Sequence, residues 1–201
     1  MVGLDGFSPA LREYKDTLRR VMGGGFADLT VEERRVRIAQ VIQLSAQASV
    51  LVGAAPVPFL EIPVQVLMVQ AIASIHGHKG SRRGLYARLV AALGGSVFLR
   101  QVGRLIPYVG NLSHISRVYA GTIALGRVAD LYFERGAQQA KKDDLGRVFE
   151  ETLHNQTADY EARATQKDIA SRLNQLATLH RAGHISEDEF KSRRREILEE
   201  I

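Results

Sequence analysis

The chain has 201 residues, with 27 Lys/Arg, 22 Asp/Glu and no Cys, for a net charge of +5. The lack of Cys excludes a disulfide framework and a thiolate metal site. Met1–Phe7 has no basic segment followed by an apolar run, and no clean apolar segment of about 20 residues occurs, so we predict neither a signal peptide nor a transmembrane helix. Residues 1–136 carry 16 Lys/Arg against 9 Asp/Glu, whereas residues 137–201 carry 11 against 13, which indicates two modules in different surroundings.

The chain begins with two predicted helices. The first covers about Pro9–Met22 and ends at three consecutive glycines. Thr30 and Glu33 form a capping-box pattern, which begins a second helix that runs to about Val52. Ala, Leu, Gln, Glu and Arg dominate and alternation is short, so the predicted fold class is all-α, a compact helical-hairpin bundle.

A Pro-rich break follows, and an apolar hairpin turn is predicted at Pro56, Pro58, Glu61 and Pro63. Pro63 can open the next helix, Val64–Ile75, which is apolar on nearly all sides and is therefore either fully buried or in lipid. Glu61 either pairs with an arginine later in the chain or is a solvated charge at the helix start. Both interpretations stay open.

Residues 76–80 end this helix in a basic turn. Shorter helices are predicted at about Arg82–Leu93 and Val97–Ile106. Leu112–Phe133 is predicted as a long apolar helix, whose small residues let a neighbouring helix approach closely.

Residues 137–167 are charged and are predicted as a linking helix. Residues 168–201 show two apolar stripes around Gly183, with a second capping box at Ser186 and Glu189, which predicts an αα-hairpin. Because this hairpin is too small to be very stable alone, we expect it to pack on a partner or on a copy of itself. The residues predicted to form that interface are Leu173, Leu176, Leu179, Ile185, Phe190, Ile197 and Leu198.

A long segment is almost free of acids: between Ile38 and Ala129 the only carboxylate is Glu61, while eight Lys/Arg occur. An apolar segment with one sign of charge is typical of contact with an anionic membrane. The residues predicted to contact lipid or another anion flank two apolar arms, and they are Arg34, Arg35, Arg37, Lys79, Arg82, Arg83 and Arg88.

The two arms, about Ile38–Gly53 and Ile62–Ile75, are short. At about 1.5 Å per residue each reaches roughly 21–24 Å, less than the ~30 Å hydrocarbon core, which disfavours a full span. The cations at both ends favour insertion from the cytoplasmic side. Burial of the hairpin in a soluble bundle explains the same apolar pattern, and the cations can then still dock on lipid.

Other chemistries have less support. His76 and His78 have no acid or Cys nearby, and His180 and His184 straddle a turn, so no metal site and no cofactor is predicted. The cations alternate with Leu, Val, Ile and Gly rather than with stacking aromatic residues, which disfavours nucleic acid as a partner. No nucleophile elbow or carboxylate pair occurs, and no enzyme activity is predicted.

Leu176–Phe190 reads LATLHRAGHISEDEF and is followed by the aliphatic Leu198. This pattern resembles the short C-terminal domain called SHOCT, from which His184 departs. The resemblance implies that residues 168–201 mediate oligomerisation or partner binding, without enzyme activity, as in many membrane-associated bacterial proteins.

Residues of about 34–136 carry a second set of features: Ala54–Pro58, Ile62–Pro63, Gln70, His76–Gly77, Ile106–Gly110, Ala124–Gly126 and Tyr132–Phe133. Together they resemble the helical domain of unknown function in YcjF-like inner-membrane proteins, which is also attached to some Era-type GTPases. The resemblance implies a membrane-associated bacterial protein. The GTPase domain itself has no counterpart, because the pattern G-x-x-x-x-G-K-[ST] is absent.

Four segments are therefore predicted: 1–29, an N-terminal helix and Gly-rich turn; 30–136, the basic, apolar helical domain; 137–167, the charged linker helix; and 168–201, the αα-hairpin. The expected function is a non-catalytic bacterial scaffold or adaptor, peripheral or monotopic, at the cytoplasmic face of the inner membrane. Its basic domain contacts lipid, and its hairpin forms a homo-oligomer or binds a partner. The alternative is a soluble oligomeric interaction protein, with a separately encoded GTPase as candidate partner and the apolar hairpin buried as core or interface.

Overall fold

The computed structural model describes residues 8–23, 26, 28–53, 62–94, 112–136, 139–182 and 184–198. These residues form seven α-helices and no strand, so the all-α prediction is confirmed. The helices are α1 (Ser8–Val21), α2 (Val31–Gly53), α3 (Ile62–Ile75), α4 (Arg82–Ala92), α5 (Leu112–Arg135), α6 (Lys142–Arg181) and α7 (Glu187–Leu198). The helix predicted at 97–106 lies outside the described residues.

The chain divides into two compact units, Met1–Ala158 (the helical unit) and Asp159–Ile201 (the C-terminal unit). The division lies inside α6, a single helix of 40 residues. The predicted charged linker and the first helix of the predicted hairpin thus belong to one continuous helix. No Pro occurs within α6, which agrees with its length. The predicted N-terminal segment also belongs to the helical unit, since α1 packs on α2.

Helix α3 lies at the centre of the helical unit, in contact with α2, α4 and α5. Its side chains are buried on several sides, which explains why it is apolar nearly all round. The buried residues are Val64, Met68, Val69, Ala71, Ile72, Ala73 and Ile75. Seven of its 14 residues are thus buried within the protein, in line with one of the two environments that the sequence allows for this helix.

Helices α2 and α5 approach each other closely at small residues. A Cβ placed on Gly126 would lie 2.7 Å from Cγ1 of Ile42, so only Gly fits opposite this side chain. Ala120, Ala124 and Ala129 on the same helix are fully buried. The predicted close approach of a neighbouring helix is thus confirmed at Gly126.

The start of α2 is set by local hydrogen bonds. The Glu33 N–H donates to Thr30 Oγ1 (3.2 Å), and the Thr30 N–H donates to Glu33 Oε2 (2.8 Å), which confirms the predicted capping box. The hydrogen bonds from Thr30 also hold the pKa of Glu33 below its ordinary value.

The C-terminal unit is a helical hairpin with a small core of its own. Ile169, Leu176 and Ile197 are buried, and Leu173, Ile185 and Phe190 pack against them. Ser186 caps α7, because its Oγ accepts the Glu189 N–H (3.2 Å). The two predicted apolar stripes therefore face each other inside one chain.

Candidate functional site

The chain after α3 is held in place by a helix-ending motif. The His78 N–H donates to the Ala73 carbonyl (2.8 Å) and the Gly77 N–H to the Ser74 carbonyl (3.0 Å), a pair of bonds that requires a left-handed residue at Gly77, where φ is +79°. Ser81 then caps α4 by accepting the Gly84 N–H (3.2 Å). The chain between the two helices is therefore ordered by backbone hydrogen bonds.

Four of the predicted anion-contacting residues lie in this region, and all of them are exposed: Lys79, Arg82, Arg83 and Arg88. We call this set the basic turn. None of the four is within ion-pair distance of a described carboxylate, in line with the lack of acids in the surrounding sequence. The set presents uncompensated positive charge to solvent.

The three arginines of α2 have different environments. Arg35 is exposed and lies 3.8 Å from Glu32. The Arg37 guanidinium donates to the carbonyl of Val21 and so joins α2 to the end of α1. Arg34 is half-buried, and its Nε has no hydrogen-bond partner among the described residues. Of these three predicted contact residues, only Arg35 is exposed in the same way as the four residues of the basic turn.

A cavity of about 280 Å³ opens between α1 and α3. Its lining combines apolar side chains with three cations: Lys15, Leu18, Arg19, Met22, Leu67, Gln70, Ala71, Ser74 and Arg82. Of these residues, only Arg82 is among those predicted to contact an anion. The one signal in the sequence was the spacing of Lys15 and Arg19, which lie four residues apart and hence on one face of α1.

Two histidines connect the basic turn to α5. The His76 side chain is 6% exposed, and its Nε2 lies 2.8 Å from Asp130 Oδ1. His78 Nε2 donates to the Phe133 carbonyl (2.9 Å), and the two rings are 5.2 Å apart. These contacts give both histidines a structural role, and no group of three metal-ligating side chains occurs among the described residues.

Most of the predicted apolar turn lies beyond the part of the chain that the structure describes. Pro56, Pro58 and Glu61 are outside the described residues, whereas Pro63 is the second residue of α3 and is exposed. Among the helices that are described, none combines the length and the apolar character needed to cross a membrane.

The C-terminal unit divides the predicted interface residues into core and surface. Leu176 and Ile197 are buried within the hairpin, whereas Leu179 is 41% exposed. Phe190 stacks on His180 with the ring centroids 4.7 Å apart, and His180 also pairs with Glu187 (2.9 Å). The side chain of Leu198 lies outside the described residues. An interface on this unit would therefore use Leu179 and its surroundings, since the other stripe residues already pack on each other.

A groove of about 580 Å³ borders Leu179. Its lining carries both signs of charge: Arg172, Gln175, Leu176, Leu179, Glu189, Ser192, Arg193, Glu196 and Ile197. Arg193 and Glu189 pair across one turn of α7 at 2.7 Å.

Comparison of the chain with known protein families, with curated proteins and with solved structures finds no match.

Proposed function

We propose that the protein is a non-catalytic adaptor that docks reversibly on an anionic membrane surface through the basic turn. The observation that carries the proposal is the exposure of Lys79, Arg82, Arg83 and Arg88, none of which lies within ion-pair distance of a described carboxylate. Each Lys or Arg near an anionic bilayer contributes about 1 kcal/mol, so four of them suffice for reversible attachment. The expected location is the cytoplasmic face of a bacterial inner membrane.

Surface docking is favoured over insertion by the burial of the apolar arms. Ile38, Val41 and Ile42 of α2 are buried together with most of α3. Lipid insertion would remove these side chains from the core of the helical unit, and each large apolar side chain contributes about 1.5–3 kcal/mol by its burial there. Docking through the basic turn leaves this core intact.

The proposed role of the C-terminal unit is self-association or partner binding. Leu179 is an exposed apolar residue beside a groove with cations and carboxylates, and a surface of mixed charge can complement a copy of itself. The resemblance to SHOCT domains favours the same role.

The membrane proposal is tested by co-sedimentation with vesicles of phosphatidylglycerol and phosphatidylcholine at low salt. We expect binding that needs the anionic lipid and decreases as salt increases. The triple variant K79Q/R83Q/R88Q should bind about 100-fold more weakly, because three contributions of about 1 kcal/mol are lost.

The matched control is R163Q/K167Q/K191Q, which removes the same charge from exposed positions of the C-terminal unit. Control binding close to that of the wild type supports the basic turn as the contact. The proposal is wrong if the wild type ignores anionic vesicles or if both triple variants lose the same affinity. Binding that resists high salt and carbonate would instead support monotopic insertion.

A soluble interaction protein is the second candidate, and the burial of α3 in a protein core favours it. Leu51 is 68% exposed at the end of α2 and supplies an apolar contact for a partner, for which a separately encoded GTPase is the candidate. For the C-terminal unit, L179E should lower the oligomer mass measured by light scattering, while T178E on the adjacent exposed residue should not. An unchanged mass in L179E contradicts the assembly role.

A further inference from the structure

The cavity between α1 and α3 has the composition of a ligand site rather than of a packing defect. Its apolar part includes the buried residues Leu18 and Ala71, together with the partly exposed Met22 and Leu67. Packing defects in cores are lined by apolar groups alone, whereas ligand sites combine apolar walls with a few convergent polar groups. Here the convergent groups are cations.

Lys15, Arg19 and Arg82 line the cavity, and no carboxylate of the described residues does. Arg19 lies 3.4 Å from Asp16, but both side chains are largely exposed, so this pair holds the guanidinium only weakly. The ion pairs of the described residues include neither Lys15 nor Arg82. The positive charge at the cavity is therefore available to a ligand.

The position of Arg82 adds to the positive potential. It is the first residue of α4, whose first turn contains no acid. The N-terminus of a helix carries a partial positive charge, which disfavours a cation and favours an anion. The first turn of α4 holds two arginines instead of the usual acids. An anionic ligand would therefore relieve the electrostatic repulsion between these arginines and the positive helix N-terminus in the free protein.

The size of the cavity restricts the ligand. At about 280 Å³ it lies just below the usual range for small-molecule sites, roughly 300–1,000 Å³. An acyl chain with one anionic group matches both the volume and the division into apolar and cationic parts.

We propose that this cavity binds a single-chain anionic amphiphile, with the chain against Leu18, Leu67 and Ala71 and the headgroup at Lys15, Arg19 and Arg82. A carboxylate and a phosphate monoester share the required chemistry. The proposal shares Arg82 with the membrane-docking proposal, but it concerns a monomeric ligand in solution and is tested without vesicles.

The test is isothermal titration calorimetry of the full chain with decanoate and with decyl phosphate, each below its micelle concentration and without vesicles. We expect saturable binding with one site per chain. From octanoate to decanoate the affinity should rise by up to about fourfold per methylene, as expected for burial of the chain. The double variant K15Q/R82Q should bind about tenfold more weakly, since two exposed ion pairs with the headgroup are lost.

The control is R12Q/R127Q, which removes the same net charge at exposed positions that do not line the cavity. It should bind like the wild type, and circular dichroism should show that both variants keep the helices. The proposal is overturned if no saturable binding occurs, if the control loses as much affinity as K15Q/R82Q, or if the affinity does not depend on chain length. A preference for decanoate or for decyl phosphate identifies the headgroup. Loss of vesicle binding in K79Q/R83Q/R88Q has no bearing on this test.

Discussion

The packing of α2 on α5 can be tested by adding one methyl group at Gly126. An ideal Cβ at this position would lie 2.7 Å from Ile42 Cγ1 and 3.1 Å from both Cδ1 and Cγ2. Ile42 is buried, and a β-branched side chain on a helix has one strongly preferred rotamer, so it cannot rotate away at low cost. The helices must separate or the side chain must be strained.

The expected effect is the difference between two opposing contributions. Replacement of Gly by Ala inside a helix stabilises by up to about 1 kcal/mol, whereas overpacking a core costs about 1–3 kcal/mol. We therefore expect G126A to lower the free energy of unfolding by about 1 kcal/mol. A Cβ placed on Gly146 in α6 would meet no heavy atom within 4 Å, so G146A should raise that free energy by about 0.5–1 kcal/mol.

Urea denaturation followed by far-UV circular dichroism measures both effects as shifts of the midpoint at constant slope. The two substitutions are chemically identical, so the opposite sign isolates the contact with Ile42. The double variant G126A/I42A should be more stable than additivity predicts, by about 1 kcal/mol, because the added methyl no longer meets the Ile42 side chain. A stabilising G126A, or strict additivity in the double variant, would refute the close approach of α2 and α5.

Two further predictions concern α1 and α2. Burial raises the pKa of Tyr14 from 10.0 to about 12, so the folded state favours the neutral phenol; its contribution to stability should be complete well below pH 10 and decrease by about 2 kcal/mol as the pH rises to 12. Y14F should remove this part of the loss of stability at high pH. If the free energies of unfolding of the two proteins, measured by urea denaturation, change in parallel with pH, the burial of Tyr14 is contradicted. T30A should lower the free energy of unfolding by about 1 kcal/mol, because the capping bonds with Glu33 are lost. T30S should retain most of that free energy in the same urea experiment, and equal losses in T30A and T30S would exclude the hydroxyl as the cause.

Helix α1 shows how a local pattern can be predicted while its tertiary role cannot. The sequence predicted a helix ending near the three glycines, and α1 ends at Val21. The hydroxyl of Tyr14 reaches Ser45 Oγ at 2.9 Å, and Ser45 Oγ donates to the Val41 carbonyl at 2.6 Å. Because Tyr14 and Ser45 are 31 positions apart, no periodicity in either segment signals this hydrogen-bonded chain.

The arginines show the same distinction at the candidate site. Arg37 and Arg83 look alike in the sequence, as cations beside an apolar arm. In the structure the first donates to a backbone carbonyl of α1, and the second is exposed to solvent. The assignment depends on where the end of α1 lies relative to α2, which is a tertiary property.

The sequence alone predicted the described helices and several of their ends. Interactions between residues at most four apart determine the all-α class, the capping box at Thr30 and the cap at Ser186. Such interactions can be predicted from the sequence itself. The tertiary structure buries seven of the 14 residues of α3 against neighbouring helices, which the sequence alone does not reveal, because a helix that is apolar on all sides is compatible with protein and with lipid. The tertiary structure also brings Lys15 and Arg82 to one cavity, since their proximity depends on how α1 and α4 are placed beside α3.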